Sequence, residues 1–266
     1  MQVHRSGYYS FLKKATLIQN LEEEQLLREV KAIFKESKKS YGSRRIAKGL
    51  QAKGYEIGRY RARNLMQKAY IQCKQRRRFK ITTQSNHNHP IAKNLLNREF
   101  KVNAPNTSWV ADITYLWTQE GWLYLAAVLD LYSRRIVGWC ISESMETKLV
   151  ENALLMAIGR RNPKDSLMHH SDRGCQYASK GYQDLLKERG IIVSMSRKGN
   201  CWDNAVMERF FGSLKSERTD GENYVTRREA KADIIDYIEM FYNSKRLHST
   251  LGYVSPMQYE KEFRGA

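Results

Sequence analysis

Three apolar runs follow one another with only short turns between them, and that succession limits what the second half of the chain can become. Residues 108–117, 122–129 and 136–141 are each about a strand long and rich in β-branched and aromatic residues, with turns at Gly121 and at 130–134 between them. Turns this short join antiparallel neighbours, so the three runs predict a meander. Helical and strand-like patterns then alternate: a helix over 147–159, a strand over 167–171, a helix over 180–189, a strand over 191–196 and a helix over 204–216. The expected fold is α/β, a mixed five-stranded sheet flanked by helices.

Charge divides the chain differently from hydropathy. Residues 1–103 carry 24 Lys and Arg against 7 Asp and Glu, whereas residues 104–266 carry 22 against 21. A basic first part joined to a balanced body points to a polyanion-binding arm, and nucleic acid fits it better than a membrane surface. The basic region lacks the broad Trp, Phe and Leu face that an interfacial helix needs. All apolar runs are too short to span a bilayer and no secretory leader opens the chain, so the expected location is the cytoplasm. The four cysteines form no C-x-x-C pair, which argues against a disulfide framework and a zinc knuckle.

Within the basic part, residues 1–20 read as a lead segment, a strand or turn docked on the body. Residues 21–72 hold three helical patterns. Leu26, Val30, Ile33 and Phe34 stripe the first, Ser43 stands where it can cap the second, and Gly54 ends it. Ala62, Leu65, Met66 and Ala69 stripe the third, whose other side offers Arg61, Asn64 and Lys68. This all-α unit fits a helix-turn-helix, with Arg44, Arg45, Arg61, Asn64 and Lys68 as candidate DNA contacts. A structural three-helix bundle with a solvated basic face fits the same periodicity. Residues 73–105 read as a basic linker, with Arg76, Arg77 and Arg78 placed along DNA. The string His87-Asn88-His89 carries no weight, since the residues of an HNH nuclease are dispersed over a hairpin and helix.

Three acids stand out in the body, taken as residues 106–218. Asp112 lies inside the first apolar run, Asp172 follows the fourth strand, and Glu208 lies on the last helix with 35 residues between it and Asp172. With 9 Asp and 19 Glu in the chain, about 0.6 Asp-to-Glu pairs fall at any chosen spacing by chance, so spacing alone decides nothing. The surrounding blocks are more specific. DITYL, HHSDRGCQYAS and GNCWDNAVMERFFGSLKSE resemble the signature blocks of DDE transposases and retroviral-type integrases, including their D,D(35)E spacing. More narrowly, HRSGYYSF, YGSRRIAKGLQAKGY and FYNSKRLHSTLGYVSPMQY are similar to the second-frame (OrfB) protein of insertion-sequence-three elements. Cys175 departs from the pattern, standing where such proteins more often have Ser.

The resemblance implies an RNase H-like core in which Asp112, Asp172 and Glu208 are catalytic and bind two Mg²⁺ ions when DNA is present, with Mn²⁺ able to substitute. It implies strand cleavage and transfer on double-stranded DNA, with the element's ends and a target as substrates. Holding two ends together implies a homo-oligomer, and OrfB-type proteins resemble the downstream half of a frameshift fusion with an upstream (OrfA-type) partner. Lys215, at i+7 from Glu208 with Phe211 and Gly212 between them on one helical face, is a candidate phosphate contact, and Arg173, Gln176 and Tyr177 are candidates beside Asp172. Asp203 and Asn204 read as caps of the catalytic helix. Residues 219–266 form a helical extension opened by a capping box at 226–229. A non-catalytic DNA-binding regulator and an RNase H-type nuclease for RNA–DNA hybrids are the competing functions.

Overall fold

The computed structural model describes residues 4–73, 90–163, 166–198 and 200–264. The chain divides into two compact units, Met1–Gln75 and Arg76–Ala266. Arg76, Arg77, Arg78 and the string at 87–89 lie outside the described residues.

The first unit is helical. Helices α1 (Arg5–Glu36), α2 (Ser43–Ala52) and α3 (Arg59–Lys68) bury Leu26, Val30 and Ile33 against Ile46, Ala47, Leu50, Ala62, Leu65 and Met66. Over residues 5–20 the expected strand or turn is instead the start of α1. No Pro interrupts residues 5–36 and the one early Gly sits in the first turn, so nothing stops the helix at residue 21. Ser43 does not cap α2: Gly42 occupies that position, and no side chain bonds the helix start. Gly54, at φ +90°, ends the turn after α2 in a conformation that favours glycine.

In the second unit β1 (Ser108–Thr118), β2 (Gly121–Asp130) and β3 (Ile136–Ser142) form the expected meander, followed by α4 (Thr147–Arg161), β4 (Met168–Ser171), α5 (Cys175–Ala178), α6 (Lys180–Glu188), β5 (Ile192–Met195) and α7 (Ala205–Leu214). The sheet order is β3-β2-β1-β4-β5, with β1–β2 and β2–β3 antiparallel and β1–β4 and β4–β5 parallel. One face of the sheet packs Trp109, Ala111, Ala126, Val128 and Val137 against α4 residues Leu149, Val150, Ala153 and Leu154, with Tyr177, Tyr182 and Leu186. The approach of α4 to β3 is close enough that a Cβ on Gly138 would stand 2.2 Å from the Ala153 carbonyl oxygen and 2.7 Å from the Ala157 Cβ. Gly138→Ala must push the helix off the strand and is expected to destabilise by about 3 kcal/mol, read as a lower urea midpoint. A loss under about 0.5 kcal/mol would mean the helix yields freely.

The described part of the expected linker, residues 90–105, is packed on this unit. Leu96 is buried, the Leu95 and Leu96 amides donate to Ser194 Oγ at 2.9 and 3.1 Å, and the Met195 amide donates to the Lys93 carbonyl at 3.3 Å. The tail folds back as α8 (Arg227–Ile235), a π-helical continuation over Asp236–Tyr242, and α9 (Pro256–Arg264). Thr226 caps α8 by accepting from the Glu229 amide at 3.1 Å, while the Glu229 carboxylate accepts from Val225, one residue earlier than a reciprocal box requires. Asn243 takes both the amide and the carbonyl of Ile136 at 2.9 Å, covering the start of edge strand β3. Buried Arg161 reaches Glu260 at 2.7 Å and Asp130 at 3.3 Å, fixing α9 to the ends of α4 and β2.

Candidate active site

Parallel pairing of β1 with β4 brings the first two acids together. The rungs Ser108↔Met168, Trp109↔His169 and Val110↔His170 share one register, and Asp112 and Asp172 each lie two residues beyond the last rung. Side chains alternate along a strand, so both carboxyls leave the sheet on the face that Val110 and His170 use. Asp112 is half-buried and its Oδ1 accepts from the Ile113 amide at 2.8 Å. Burial pushes its carboxyl well above the usual carboxylate range, and the neighbouring Asp172 adds to that shift. The Ile113 bond and the Lys215 ammonium oppose it, whereas Glu208 reinforces it.

The end of β4 is held from behind. His170 bridges Ser194 Oγ at 2.8 Å and Ser196 Oγ at 3.1 Å, and His169 Nε2 meets the Tyr182 hydroxyl at 3.1 Å. Burial lowers both imidazoles, to about 3 for His169 and about 4 for His170, so they act as neutral hydrogen-bonding struts. Asp172 Oδ1 accepts from the Gly174 amide at 2.9 Å, and a Cβ on Gly174 would stand 3.1 Å from that same oxygen.

Glu208 is exposed on α7, a helix that packs on β1. Asp203 and Asn204 do not cap it. Asn204 Nδ2 donates to the Ala111 carbonyl at 3.1 Å, tying the helix start to the residue before Asp112. Buried Asp203 accepts from the Arg197 amide at 2.9 Å, from Arg197 Nη2 and Arg98 Nε at 2.9 Å, and from Asn94 at 2.8 Å. Arg197, then Arg98, hold its carboxyl below the usual range against the opposing effect of burial. Along the expected face, Glu208 is exposed, Phe211 and Gly212 are buried, and Lys215 opens a π-helical segment, Lys215–Thr219. Half-buried Lys215 interacts electrostatically with the Asp112 carboxyl, and its Nζ lies 5.2 Å from the centre of the Tyr115 ring.

Among the described residues no three His, Cys, Asp or Glu side chains converge into a ready-made metal cage. Asp112 and Asp172, with Glu208 in electrostatic reach, form an all-oxygen set. That chemistry suits a hard cation whose shell is completed by waters and substrate phosphate.

The other expected contacts fare differently. Arg173 donates to the Ser196 carbonyl at 2.6 Å, Gln176 is buried and donates to the Met145 carbonyl at 3.0 Å, and Tyr177 lies in the core instead of facing a ligand. Arg44, Arg61 and Asn64 are exposed. The Arg45 guanidinium sits 5.4 Å over the Tyr41 ring, and Lys68 is in an ion pair with Glu23.

Models of known families match most of the chain: an HTH-like domain over residues 21–79 and an integrase core domain over 102–201 and again over 208–263. A 31 kDa protein of insertion element IS600 from Shigella sonnei is 44% identical over 261 residues, covering 98% of this chain and 96% of that protein. The transposase InsF for insertion sequence IS3A of Escherichia coli K12 is 39% identical over 264 residues, covering 98% and 92%. The transposase for insertion sequence element IS904 of Lactococcus lactis is 43% identical over 244 residues, covering 91% and 96%. Among solved structures, a chain of the simian T-cell lymphotropic virus intasome aligns at a TM-score of 0.49 and 16% identity, covering 77% of this chain and 67% of that one. With identities this high over nearly the full length of its relatives, the chain belongs to the IS3 family of DDE transposases, polynucleotidyl transferases built on an integrase core.

Proposed function

We propose that Asp112, Asp172 and Glu208 hold two Mg²⁺ ions, or Mn²⁺ in their place, and that the chain cuts and rejoins DNA at the ends of an insertion sequence. The observation that carries this reading is the β1–β4 register, which sets Asp112 beside Asp172 while α7 brings Glu208 within electrostatic reach. When bound, the metal supplies charge relief at phosphorus and activation of an oxygen nucleophile. The protein's part is positional. Gly174 and Ile113 amides orient one oxygen of each aspartate. Lys215 brings positive charge to the same place and takes the phosphate backbone.

No side chain need be the nucleophile. Water attacks first at the element end and frees a 3′-hydroxyl, and that hydroxyl then attacks a target phosphate. Arg44, Arg61 and Asn64 of the helical unit hold the duplex, and a second copy holds the second end. An upstream-frame partner completes the assembly. Among the described residues no helix is long and apolar enough to cross a membrane; cytoplasmic action on chromosomal DNA is part of the proposal.

The test uses the full chain with duplex oligonucleotides that carry the element's ends. Nicking and 3′-hydroxyl joining are expected in Mg²⁺ and are expected to vanish with EDTA. Joining that persists after chelation, or cleavage of an RNA–DNA hybrid with no joining of DNA, overturns the reading.

A further inference from the structure

Beyond the acids, the tip of the β1–β2 hairpin carries an aromatic surface that the chemistry above does not use. Tyr115 pairs across from Tyr124 and Trp117 from Trp122, so these rings share one face. Trp117 and Trp122 meet edge to face with centroids 4.8 Å apart, Trp122 meets Tyr115 at 5.1 Å, and Lys215 Nζ sits 5.2 Å from the Tyr115 ring. The two tryptophans are 59% and 45% exposed. Large aromatics left in water at the end of a core-forming hairpin mark a contact surface more often than a packing remnant.

The tip is held rigidly. Gly121 turns at φ +111°, the Gln119 amide donates to the Tyr224 carbonyl at 3.0 Å, and the Arg227 amide donates to Glu120 at 2.7 Å. Arg227 also reaches Glu143 at 2.8 Å, so the start of α8 clamps the turn from outside. Rings on a fixed hairpin lose little conformational freedom when a flat partner lands on them.

Position selects the partner. β4 pairs with β1 only as far as Val110, so from Asp112 outward no strand borders that edge of β1 among the described residues. Alternation points Tyr115 and Trp117 to the face opposite Asp112, and Lys215 links the two, acting on the Asp112 carboxyl while its Nζ lies over the Tyr115 ring. From Asp112 to Trp117 the strand runs about 17 Å, the length of about five stacked nucleotides. A backbone whose phosphate meets the acids passes Lys215 and brings its neighbouring bases to the rings. We propose that Tyr115, Trp117 and Trp122 form a stacking platform for unpaired bases of the DNA strand adjoining the reacting phosphate. This rests on the acid-site reading for its direction, and stacking also needs no particular base sequence.

The experiment measures binding of fluorescent oligo-dT of about 20 nucleotides, and of a duplex of the same length, to the full chain and to its variants. Trp117→Ala with Trp122→Ala is expected to weaken oligo-dT binding about tenfold or more while leaving duplex binding within about twofold. Trp117→Phe with Trp122→Phe should retain most of the binding. The Leu pair, which keeps apolar bulk without a ring, should lose it and also serves if the alanine pair fails to fold. Unchanged oligo-dT binding in the Leu pair, an equal loss for duplex, or a changed oligomeric state by light scattering, meaning that the rings pack on a second copy, each overturns the platform. Strand joining assayed in parallel on wild type with and without EDTA separates the two readings: joining that survives chelation refutes the acid site, while the oligo-dT comparison judges the rings alone.

Discussion

Asp112→Asn is expected to cut nicking and joining by roughly 10³-fold and, in the absence of metal, to make the protein more stable at neutral pH. The loss corresponds to about 4 kcal/mol of transition-state stabilisation, the scale on which a metal ion's charge acts at a phosphoryl centre. The gain follows from the carboxyl's environment. Burial and Asp172 raise the Asp112 pKa in the folded protein above its ordinary value of 3.8. Below that value both folded and unfolded chains hold the proton, and no cost arises. As pH climbs through the folded value the unfolded state is the better place for the ionised group, so wild type loses stability that asparagine keeps. Thermal midpoints in EDTA should therefore coincide near pH 4 and favour the variant by about 2–4 °C at pH 7, the shift given by ~1 kcal/mol in a domain of this size. Added Mg²⁺ should raise the wild-type midpoint more than the variant's. A variant that joins DNA normally, or melts lower than wild type in EDTA at pH 7, would falsify the assignment of Asp112.

The second large effect is structural. Arg246 meets Glu217 through two bonds of 2.6 and 2.7 Å, both side chains are buried, and the Tyr237 hydroxyl donates to the same carboxylate at 2.9 Å. The guanidinium also lies 5.5 Å over the Tyr242 ring. Burial works against its charge, and Glu217 more than offsets that. Arg246→Ala leaves a buried carboxylate without its counter-ion and should destabilise by about 3–5 kcal/mol, whereas replacing both partners with Met should recover most of the loss. Urea midpoints measure both. Because Glu217 lies on the π-helical turn that continues α7, the single change should also lower DNA joining beyond its effect on folding. A stability change under about 1 kcal/mol would mean water already reaches the pair.

What could be read from sequence tracks how local each signal is. The meander was legible because Gly121 and the turn at 130–134 punctuate runs of apolar residues, and Thr226, the capping half of the expected box, announced α8. The pairing of β1 with β4 was not legible, since parallel neighbours leave no local trace and the family's blocks alone linked Asp112 to Asp172. Asp203 looked like a cap because its chief partner outside its own loop, Arg98, is 105 residues away. The four-residue helix α5 is too short for a period, and the π-helical turn that follows α7 from Lys215 onward departs from the 3.6-residue rhythm that sequence patterns report. Tyr177 looked like a ligand contact from its place beside Asp172, but the turn at Gly174 sends it back into the core.

The shared register of β1 and β4 has an evolutionary side. Inserting or deleting one residue within 108–112 or 168–172 would turn one carboxylate through the sheet to its other side, where α4 and its apolar neighbours wait. Related elements should therefore vary freely in length in the loop after α4, and hold those two short stretches to a fixed count. Natural indels falling inside either stretch, in copies that still move, would mean that some other geometry gathers the acids.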